Sequence, residues 1–273
     1  MDNYKNKEWL TEAFEIYGNK QAIGRLCGVS GDTIEYWRKK FNISKSIKGK
    51  QAARKHIINQ NYFEVIDSEH KAYWLGFLMA DGCVSKTSKN GPYNRFEINI
   101  KEDDIELLEQ FNRDMDSTYD IKTFINKNKK RNFESSICNL RINSKKMTDD
   151  LISCGIVPNK TGKENLPSSI PEEYIKDFIR GYFDGDGSIT AKGSFRICSS
   201  SKELLESFNV YFYNTLGIKL TIYESTDYKV PFYTFDSNNK NKNLLILNHI
   251  YKNATVYLNR KYERYVNLVG PLI

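Results

Sequence analysis

The stretch GYFDGDGSIT, residues 181–190, ends an apolar segment abruptly with two aspartates set between glycines. A related stretch lies upstream, since WLGFLMADGCVS (residues 74–85) can be laid over IRGYFDGDGSIT (residues 179–190) with an offset of 105. Three positions are identical in the two stretches: Gly76 and Gly181, Asp81 and Asp186, Gly82 and Gly187. The chain therefore contains the same apolar run twice, and each copy ends in Asp-Gly.

The similarity continues beyond these two stretches. ELLEQFN at Glu106 recurs as ELLESFN at Glu203, and DIKTF at Asp120 is echoed by GIKLT at Gly217, both at an offset of 97. From about residue 65 to the end, the chain reads as two diverged copies of one unit. With only two copies, we expect a pseudo-twofold pair in which each unit buries a face against the other.

Each copy has the same order of predicted elements. Asp67 and Ser68 are candidate N-caps before the first apolar run, and Pro171 takes the first helical position in the second copy. Strand patterns follow, as in residues 95–101, where Phe96, Ile98 and Ile100 alternate with polar residues. Further helices are predicted at 103–114 and 201–216. The predicted fold is α+β: two αββαββα units, residues 65–165 and 166–273, with antiparallel sheets that are polar on one face.

The polar face of each predicted sheet carries residues suited to DNA phosphates and base edges. The candidates on or beside the strands are Lys86, Arg95, Glu97, Asn99, Lys101, Arg141, Asn143, Ser188, Thr190, Lys192 and Arg196.

Asp81 and Asp186 each end a predicted helix, before a glycine suited to the left-handed C′ position. A carboxylate there faces the negative end of the helix dipole, which disfavours it by a few tenths to about 1 kcal/mol. A divalent cation between the two carboxylates would offset this penalty. The alternative is that each aspartate simply occupies an Asp-Gly turn; two copies in register favour the metal.

Small residues four apart allow the two predicted helices to approach closely along one face. They are Gly76 and Ala80 in the first copy and Gly181 and Gly185 in the second. A calcium loop starting at Asp184 is excluded, because Ile189 stands where an EF-hand needs glycine and Phe195 where it needs glutamate.

The paired stretches WLGFLMADG and IRGYFDGDG resemble the two motifs of single-chain LAGLIDADG homing endonucleases, over about residues 62–273. The resemblance implies motif helices packed at an interface and saddle-shaped sheets that lie in the DNA major groove. It also implies cleavage of both strands of a long DNA site with Mg²⁺ or Mn²⁺. The metal-binding positions of the motif fall on Asp81 and Asp186. Asp184 and Met79 share a motif position that does not carry the metal, where Met79 departs from the family pattern.

The family also places a basic residue near each scissile phosphate, late in each unit. Lys160, in PNKTGK, and Lys261, in YLNRKYERY, match that placement, with an ordinary surface lysine as the alternative. Two carboxylates that collect metal ions, with a lysine to polarise water or neutralise developing charge, form a coherent set for phosphodiester hydrolysis. No nucleophilic serine, cysteine or histidine is required.

Residues 1–45 are predicted to form a separate helical module. Predicted helices at 9–17, 21–26 and 32–41, with a Gly-Val-Ser turn before the third, resemble a helix-turn-helix. The third helix would read DNA through Thr33, Tyr36, Arg38 and Lys39; the alternative is a plain helical hairpin. Residues 46–64 form a basic linker, which is either a phosphate-tracking segment or an ordinary solvated one.

The composition agrees with a polyanionic partner. The 273 residues carry 41 Lys and Arg against 34 Asp and Glu, a net charge of +7. The odd number of scattered cysteines indicates reduced thiols, the three histidines are too far apart in sequence to suggest a zinc site, and no apolar run is long enough for a membrane span. We expect a monomer that binds double-stranded DNA, is not secreted, and resides in the bacterial or phage-infected cytoplasm or wherever the host DNA lies.

Two classes of function remain open. The first is a site-specific endonuclease from a mobile intron or a free-standing element. The second is a non-cleaving binder, either a transcription regulator or an intron RNA maturase on the same fold. A chain that had given up cleavage would be free to lose one aspartate, and both are present, which favours the nuclease.

Overall fold

The computed structural model describes residues 3–17, 19–43, 56–128, 133–225 and 231–270. The chain divides into two compact units, Met1–Ile58 and Asn59–Ile273. Most of the predicted linker, up to residue 55, lies outside the described residues. The first repeat was expected to start at residue 65, but the second unit already includes residues before it. Tyr62 and Phe63 are buried, and Phe63 packs on Phe111.

The first unit contains a short 3₁₀ turn, Asn3–Lys5, and three helices. They are α1 (Lys7–Tyr17), α2 (Lys20–Cys27) and α3 (Gly31–Lys40). The buried core consists of Tyr4, Leu10, Ala13, Phe14, Ile23, Ile34 and Ile43. Tyr17, the last residue of α1, is 42% exposed.

The turn between α2 and α3 is defined by local signals. Gly28 ends α2 in the left-handed conformation, with φ of 69°. Ser30 caps α3 by accepting a hydrogen bond from the backbone N–H of Thr33 at 3.1 Å. Gly24 allows the two helices to approach, since a Cβ there would lie 2.6 Å from the carbonyl oxygen of Val29.

The second unit repeats one order of elements twice. The first copy comprises α4 (Glu69–Asp81), β1 (Gly82–Lys86), β2 (Tyr93–Lys101), α5 (Ile105–Asp114), β3 (Ile121–Asn128), β4 (Phe133–Asn143) and α6 (Lys145–Ser153). The second comprises α7 (Ile175–Asp186), β5 (Gly187–Ile189), β6 (Phe195–Ser199), α8 (Lys202–Leu216), β7 (Thr221–Ser225), β8 (Phe232–Ser237) and α9 (Lys240–Tyr251). The predicted αββαββα order is therefore confirmed in both copies, and a last helix, α10 (Asn259–Val269), follows.

The two sheets have the same topology. Their strand orders are β1-β2-β4-β3 and β5-β6-β8-β7, and the pairs are antiparallel. The predicted alternation holds in β2, where Phe96, Ile98 and Ile100 are buried while the polar residues between them are partly or fully exposed. One face of each sheet therefore covers the core and the other carries polar side chains.

The ends of the motif helices differ in detail from the sequence expectation. Ser68 caps α4, accepting from the N–H of Lys71, whereas Pro171 precedes a 3₁₀ turn (Glu172–Tyr174) instead of opening α7 directly. Gly82 and Gly187 are extended, with φ of −77° and −93°, and are not left-handed caps. Glycine is needed at Gly82 because a Cβ would lie 2.5 Å from the carbonyl oxygen of Leu78.

Helices α4 and α7 pack against each other at the centre of the second unit. A Cβ added to Gly76 would overlap the carbonyl oxygen of Phe178, and a Cβ added to Gly181 would overlap that of Tyr73. These two contacts are related by the sequence offset of 105, so the helix pair follows the internal repeat. Among the described residues, no helix combines the length and apolar character that crossing a membrane requires.

Candidate functional site

The two motif aspartates lie at the C-terminal ends of the central helices. Asp81 is the last residue of α4, and Asp186 is the last residue of α7. Oδ2 of Asp81 lies 3.1 Å from the position that a Cβ on Gly185 would occupy, and a Cβ there would also overlap that of Ala80. One carboxylate therefore rests against the backbone that directly precedes the other, and only glycine at 185 leaves room for it.

The surroundings of both carboxylates disfavour the ionised form. Burial within the surrounding protein, together with the smaller effect of the charge of Asp186, raises the pKa of Asp81 to about 6. Burial also raises the pKa of Asp186. The side chains nevertheless have solvent-exposed surface, so the pair lies in an open recess instead of a closed core. Such a pair has the properties of a cation-binding site.

The two predicted lysines both contact the ends of the motif helices. Lys160 Nζ donates to the carbonyl oxygen of Ala80 at 2.6 Å. Lys261 Nζ donates to the carbonyl oxygens of Phe183 at 2.6 Å, Asp184 at 2.8 Å and Gly187 at 2.6 Å. Each lysine thus places positive charge where the helix dipole is negative.

The two lysines differ in their burial and in the number of hydrogen bonds that they donate. Lys261 is 2% exposed, its three hydrogen bonds match the three donors of an ammonium group, and burial lowers its pKa to about 8. Burial lowers the pKa of Lys160 as well. The sequence expectation treated both lysines alike, but in this structure Lys261 is a buried helix cap.

Arg260 is a site residue that the sequence reading missed. It lines a recess beside Asp81 together with Asn99 and Lys101, and its charge lowers the pKa of Asp81. Its Nε donates to both carboxylate oxygens of Asp104, at 3.0 and 3.2 Å. The signal was present in the sequence, because Arg260 directly precedes Lys261 in YLNRKYERY.

Asp184 has a structural role in the buried core. It is 1% exposed and accepts hydrogen bonds from the hydroxyls of Tyr73 and Tyr251 and from the N–H of Leu258. Because Tyr73 belongs to α4, this carboxylate joins the two motif helices inside the core. The first copy has Met79 at the equivalent position, also fully buried.

A second buried charge lies in the N-terminal half of α7. The guanidinium of Arg180 is 1% exposed and pairs with Glu69 at 2.8 Å and Asp177 at 2.6 Å. It also donates to the carbonyl oxygens of Val256 and Ile250. Arg180 therefore joins α7 to α4, to the last turn of α9 and to the segment between α9 and α10.

The predicted DNA-facing residues of the second unit lie on or beside the polar faces of the two sheets. Lys86, Asn99, Lys101, Arg141, Asn143, Ser188, Thr190, Lys192 and Arg196 are exposed, while Arg95 and Glu97 are partly buried. Several are paired across strands: Arg141 with Glu97 at 2.7 Å, Arg95 with Asn143 at 2.9 Å, Arg196 with Asp236 at 2.9 Å, and Asn99 with Asn139 at 2.9 Å.

The third helix of the first unit presents a mixed surface. Tyr36 is 60% exposed and Lys39 is exposed, in agreement with the expectation. Arg38 does not point freely outward, because its guanidinium binds both carboxylate oxygens of Glu35 and the carbonyl oxygen of Ile43. Thr33 is half-buried beside the cap and shares a hydrogen bond with Ser30 at 2.9 Å.

The types of side chain at the site limit which cations it could hold. Among the described residues, no group of three or more histidine, cysteine, aspartate or glutamate side chains could hold a metal ion. The pair of aspartates fits a Mg²⁺-type ion instead, because such ions use one or two carboxylates and complete their shell with water and substrate phosphates.

The chain is similar to a known protein family and to parts of curated proteins. A family model described as a LAGLIDADG-like domain matches residues 68–150 and 173–261. The replication factor C small subunit of Methanocaldococcus jannaschii is 26% identical over 209 residues, which is 75% of this chain and 10% of that protein. Subunit Rpo1C of the DNA-directed RNA polymerase of the same organism is 31% identical over 83 residues, 29% of this chain and 10% of that protein. The chain thus spans about a tenth of the length of these curated relatives.

Solved structures with a similar course of the chain include homing endonucleases. I-DmoI in complex with DNA and Ca gives a TM-score of 0.48 at 19% identity, covering 75% of this chain and 97% of that one. I-WcaI bound to its DNA recognition sequence gives 0.46 at 15% identity, covering 78% and 87%. Full-length DUF199/WhiA from Thermatoga maritima gives 0.47 at 15% identity, covering 77% and 64%.

Proposed function

The chain belongs to the family of LAGLIDADG-like domains, and from that premise we propose that it is a site-specific DNA endonuclease. It hydrolyses phosphodiesters in both strands of a long duplex target, with a divalent cation, Mg²⁺ or Mn²⁺, held by Asp81 and Asp186. One observation carries the proposal: two carboxylates lie together at the ends of paired helices, where burial raises the pKa of both. Folding alone gains nothing from that arrangement.

A bound cation would supply an activated water and charge stabilisation at the scissile phosphate. Asp81 and Asp186 would hold it, and the lysines set their electrostatic environment. The positive charges of Lys160 and Lys261 oppose the rise in the pKa of both aspartates that burial causes. In this proposal Lys160 is the basic residue that contacts the phosphate or its water, and Lys261 positions the end of α7.

The polar sheet faces support duplex DNA as the substrate. They begin directly after Asp81 and Asp186, because β1 and β5 start at the next residue. Arginine, lysine, asparagine and serine side chains on these strands are suited to phosphates and to base edges in the major groove. The substrate proposed here is therefore a long site read by both sheets, with cleavage between them.

The first unit is proposed to be a helix-turn-helix module that adds affinity for the same site. A cap at Ser30 and a left-handed turn at Gly28 set α3 apart as a helix with exposed Tyr36 and Lys39. Two tethered DNA-binding modules raise each other's effective concentration on one target. We propose that the protein acts as a monomer, wherever the host DNA of its intron or free-standing element lies.

The test is a cleavage selection. The purified chain with Mg²⁺ is given a large randomised duplex pool and host genomic DNA, beside the double variant Asp81→Asn, Asp186→Asn. The variant Asp120→Asn, at an exposed loop carboxylate, is the matched control. Discrete ends from the native and control proteins alone are expected. If native and double-variant proteins enriched the same sequence and neither cut it, the chain would be a DNA-binding regulator instead.

A further inference from the structure

The lysines at the ends of the motif helices differ in whether they can bind a further anion. The three hydrogen bonds of Lys261 engage every N–H of its ammonium group, and the side chain is buried. Lys160 is half-buried and, among the described residues, donates a single hydrogen bond, to the carbonyl oxygen of Ala80. Lys160 can therefore contact a phosphate without giving up a hydrogen bond, whereas Lys261 cannot.

The residue before each lysine also differs between the two copies. Arg260 precedes Lys261, whereas Asn159 precedes Lys160. The side chain of Arg260 is 46% exposed, so its charge is accessible although that of Lys261 is enclosed. At this pair of neighbouring positions, the first copy thus offers Lys160 to a ligand and the second copy offers Arg260.

Arg260 is held in one orientation by a carboxylate of the first copy. Its Nε donates to both carboxylate oxygens of Asp104, at 3.0 and 3.2 Å, and the side chain of Asp104 is only 8% exposed. In the part of the chain that the structure describes, the terminal NH₂ groups of Arg260 have no hydrogen-bond partner. These groups form the fork with which a guanidinium binds two oxygens of one phosphate. The ion pair therefore fixes the arginine and leaves its phosphate-binding edge open.

Arg260 shares its recess with a motif carboxylate and with another cation. Asp81, Lys101 and Arg260 all line this recess. Lys101 is exposed at the end of β2, and within the described ranges no hydrogen bond or ion pair fixes its ammonium group. Arg260 is therefore the preorganised cation of the two. Preorganised donors stabilise the charge that develops in a transition state without having to reorient during the reaction.

The pseudo-twofold relation of the two copies places Lys160 and Arg260 against different DNA strands. Helices α4 and α7 pack through equivalent glycines, so the axis of the repeat passes between Asp81 and Asp186. A protein whose two related halves bind one duplex aligns its axis with the dyad of the duplex, and that dyad exchanges the strands. Because Lys160 and Arg260 belong to different halves, they face opposite strands.

We propose that Arg260 holds the scissile phosphate of one DNA strand in place of Lys261, and that Lys160 holds the scissile phosphate of the other. This rests on the proposed function, since it divides the cleavage of a duplex between two cations. In the hydrolysis, a bond forms between the water oxygen and phosphorus, and the bond from phosphorus to the leaving oxygen breaks. A water proton passes to that oxygen or to solvent. Arg260 supplies hydrogen bonds and charge and takes up no proton.

The experiment follows the two strands separately. The duplex recovered in the cleavage selection carries a different fluorophore on each strand, and single-turnover rates are measured with Mg²⁺ at saturating protein. The full-length variants are Arg260→Gln, Arg260→Lys and Lys160→Met. Arg113→Gln is the matched control, since Arg113 is an exposed arginine on α5 that donates to Gln110. Thermal unfolding and duplex binding in EDTA check that each variant folds and still binds the target.

Arg260→Gln is expected to slow cleavage of one strand by about 100-fold and of the other strand much less, so that nicked duplex accumulates. Lys160→Met should slow the opposite strand, and Arg113→Gln should match the native protein. Arg260→Lys should recover part of the lost rate, because lysine keeps the charge and lacks the fork.

Three results would overturn the inference while leaving the nuclease intact. They are a native rate in Arg260→Gln, equal slowing of both strands by that variant, and slowing of the same strand by the Arg260 and Lys160 variants. A native chain that cuts neither strand of any duplex refutes the proposed function and this inference together.

Discussion

Asp81 ends a helix whose last carbonyls already carry partial negative charge, and it lies close to a second carboxylate. Its raised pKa, about 6, means that the folded protein holds this proton more tightly than the unfolded chain does. The penalty for the charged form is therefore complete above pH 6 and is relieved as the pH falls through 6. A cation relieves the same penalty at neutral pH.

Asp81→Asn should stabilise the metal-free protein. In EDTA at pH 8, loss of the penalty for burying the charge, and of the smaller repulsion from Asp186, is expected to raise Tm by roughly 2–4 °C. The gain should shrink as the pH falls from 7 to 4, because native Asp81 then becomes neutral too. Scanning calorimetry across this range measures it, with Asp120→Asn as control. Equal gains at pH 8 and pH 4 would contradict the assignment of the shift to Asp81.

His70 contributes to stability with the opposite dependence on pH. Its Nδ1 lies 2.7 Å from Oδ2 of Asp114, and its Nε2 lies 2.9 Å from Oγ1 of Thr255. The hydrogen bond with Asp114 raises the pKa of His70 despite partial burial. A raised histidine pKa adds stability that is complete below its ordinary value, about 6.5, and is lost as the pH rises through the folded-state value.

His70→Gln should therefore destabilise the protein more at pH 6 than at pH 9. We expect a loss of about 1–2 kcal/mol at pH 6, measured by denaturant unfolding at both pH values. His249→Gln is the matched comparison, because burial lowers the pKa of His249 and its contribution weakens as the pH falls. The same pH trend in both variants would refute the Asp114 pairing as the cause.

At the level of elements, the contact between α4 and α7 positions the site. The two helices approach through glycines at equivalent positions, and the carboxylates at their ends come together as a consequence. Asp184 and Arg180 add buried polar contacts to the same interface, each with several partners. The helix pair is therefore specified both by close backbone packing and by buried hydrogen bonds.

Gly181→Ala should separate the two helices. The added methyl group would overlap the carbonyl oxygen of Tyr73, which is backbone and has no rotamer by which to avoid it. We expect a loss of about 3 kcal/mol in the free energy of unfolding, measured by urea denaturation.

Gly31→Ala is the matched control, because a Cβ there would meet its nearest atoms at 3.5 Å, an ordinary contact. A neutral or slightly positive effect is expected from the better helix propensity of alanine. Losses of equal size in both variants would show that the close approach of α4 and α7 is not the cause.

At the level of the whole molecule, two separate units carry candidate DNA-binding residues on one chain. Exposed basic residues occur on α3 of the first unit and at the turn between β5 and β6 of the second. If both units hold one DNA molecule, their phosphate contacts must add in a single binding equilibrium.

Lys39→Gln and Lys192→Gln should each reduce the slope of log K against log salt concentration by about 0.9, and the double variant by about twice that. Fluorescence anisotropy with the selected duplex, between 50 and 300 mM salt, measures the slopes. Lys145→Gln should leave the slope unchanged, since this lysine is paired with Asp149 on α6. A double variant no different from either single variant would mean that only one unit engages the DNA.

The sequence by itself determined the order of elements, the repeat and the two aspartates. These follow from local information: apolar periodicity, capping residues such as Ser68 and Ser30, and strict alternation in β2. The sequence also identified Gly76 and Gly181 as contact residues, because small residues at helical spacing indicate a close approach whatever the partner.

Only the tertiary structure decided which charges meet. Lys261 is a buried cap, Arg260 lies in the site, and Asp184 has partners from three segments. The sequence did not indicate these contacts, because they join positions 67 or more residues apart. The cross-strand pairs Glu97–Arg141 and Arg196–Asp236 depend on strand register, which is set by turns and packing across the whole sheet. Short-range sequence patterns determine which helix or strand each segment forms. Packing between segments that are distant in sequence determines which residues its side chains contact.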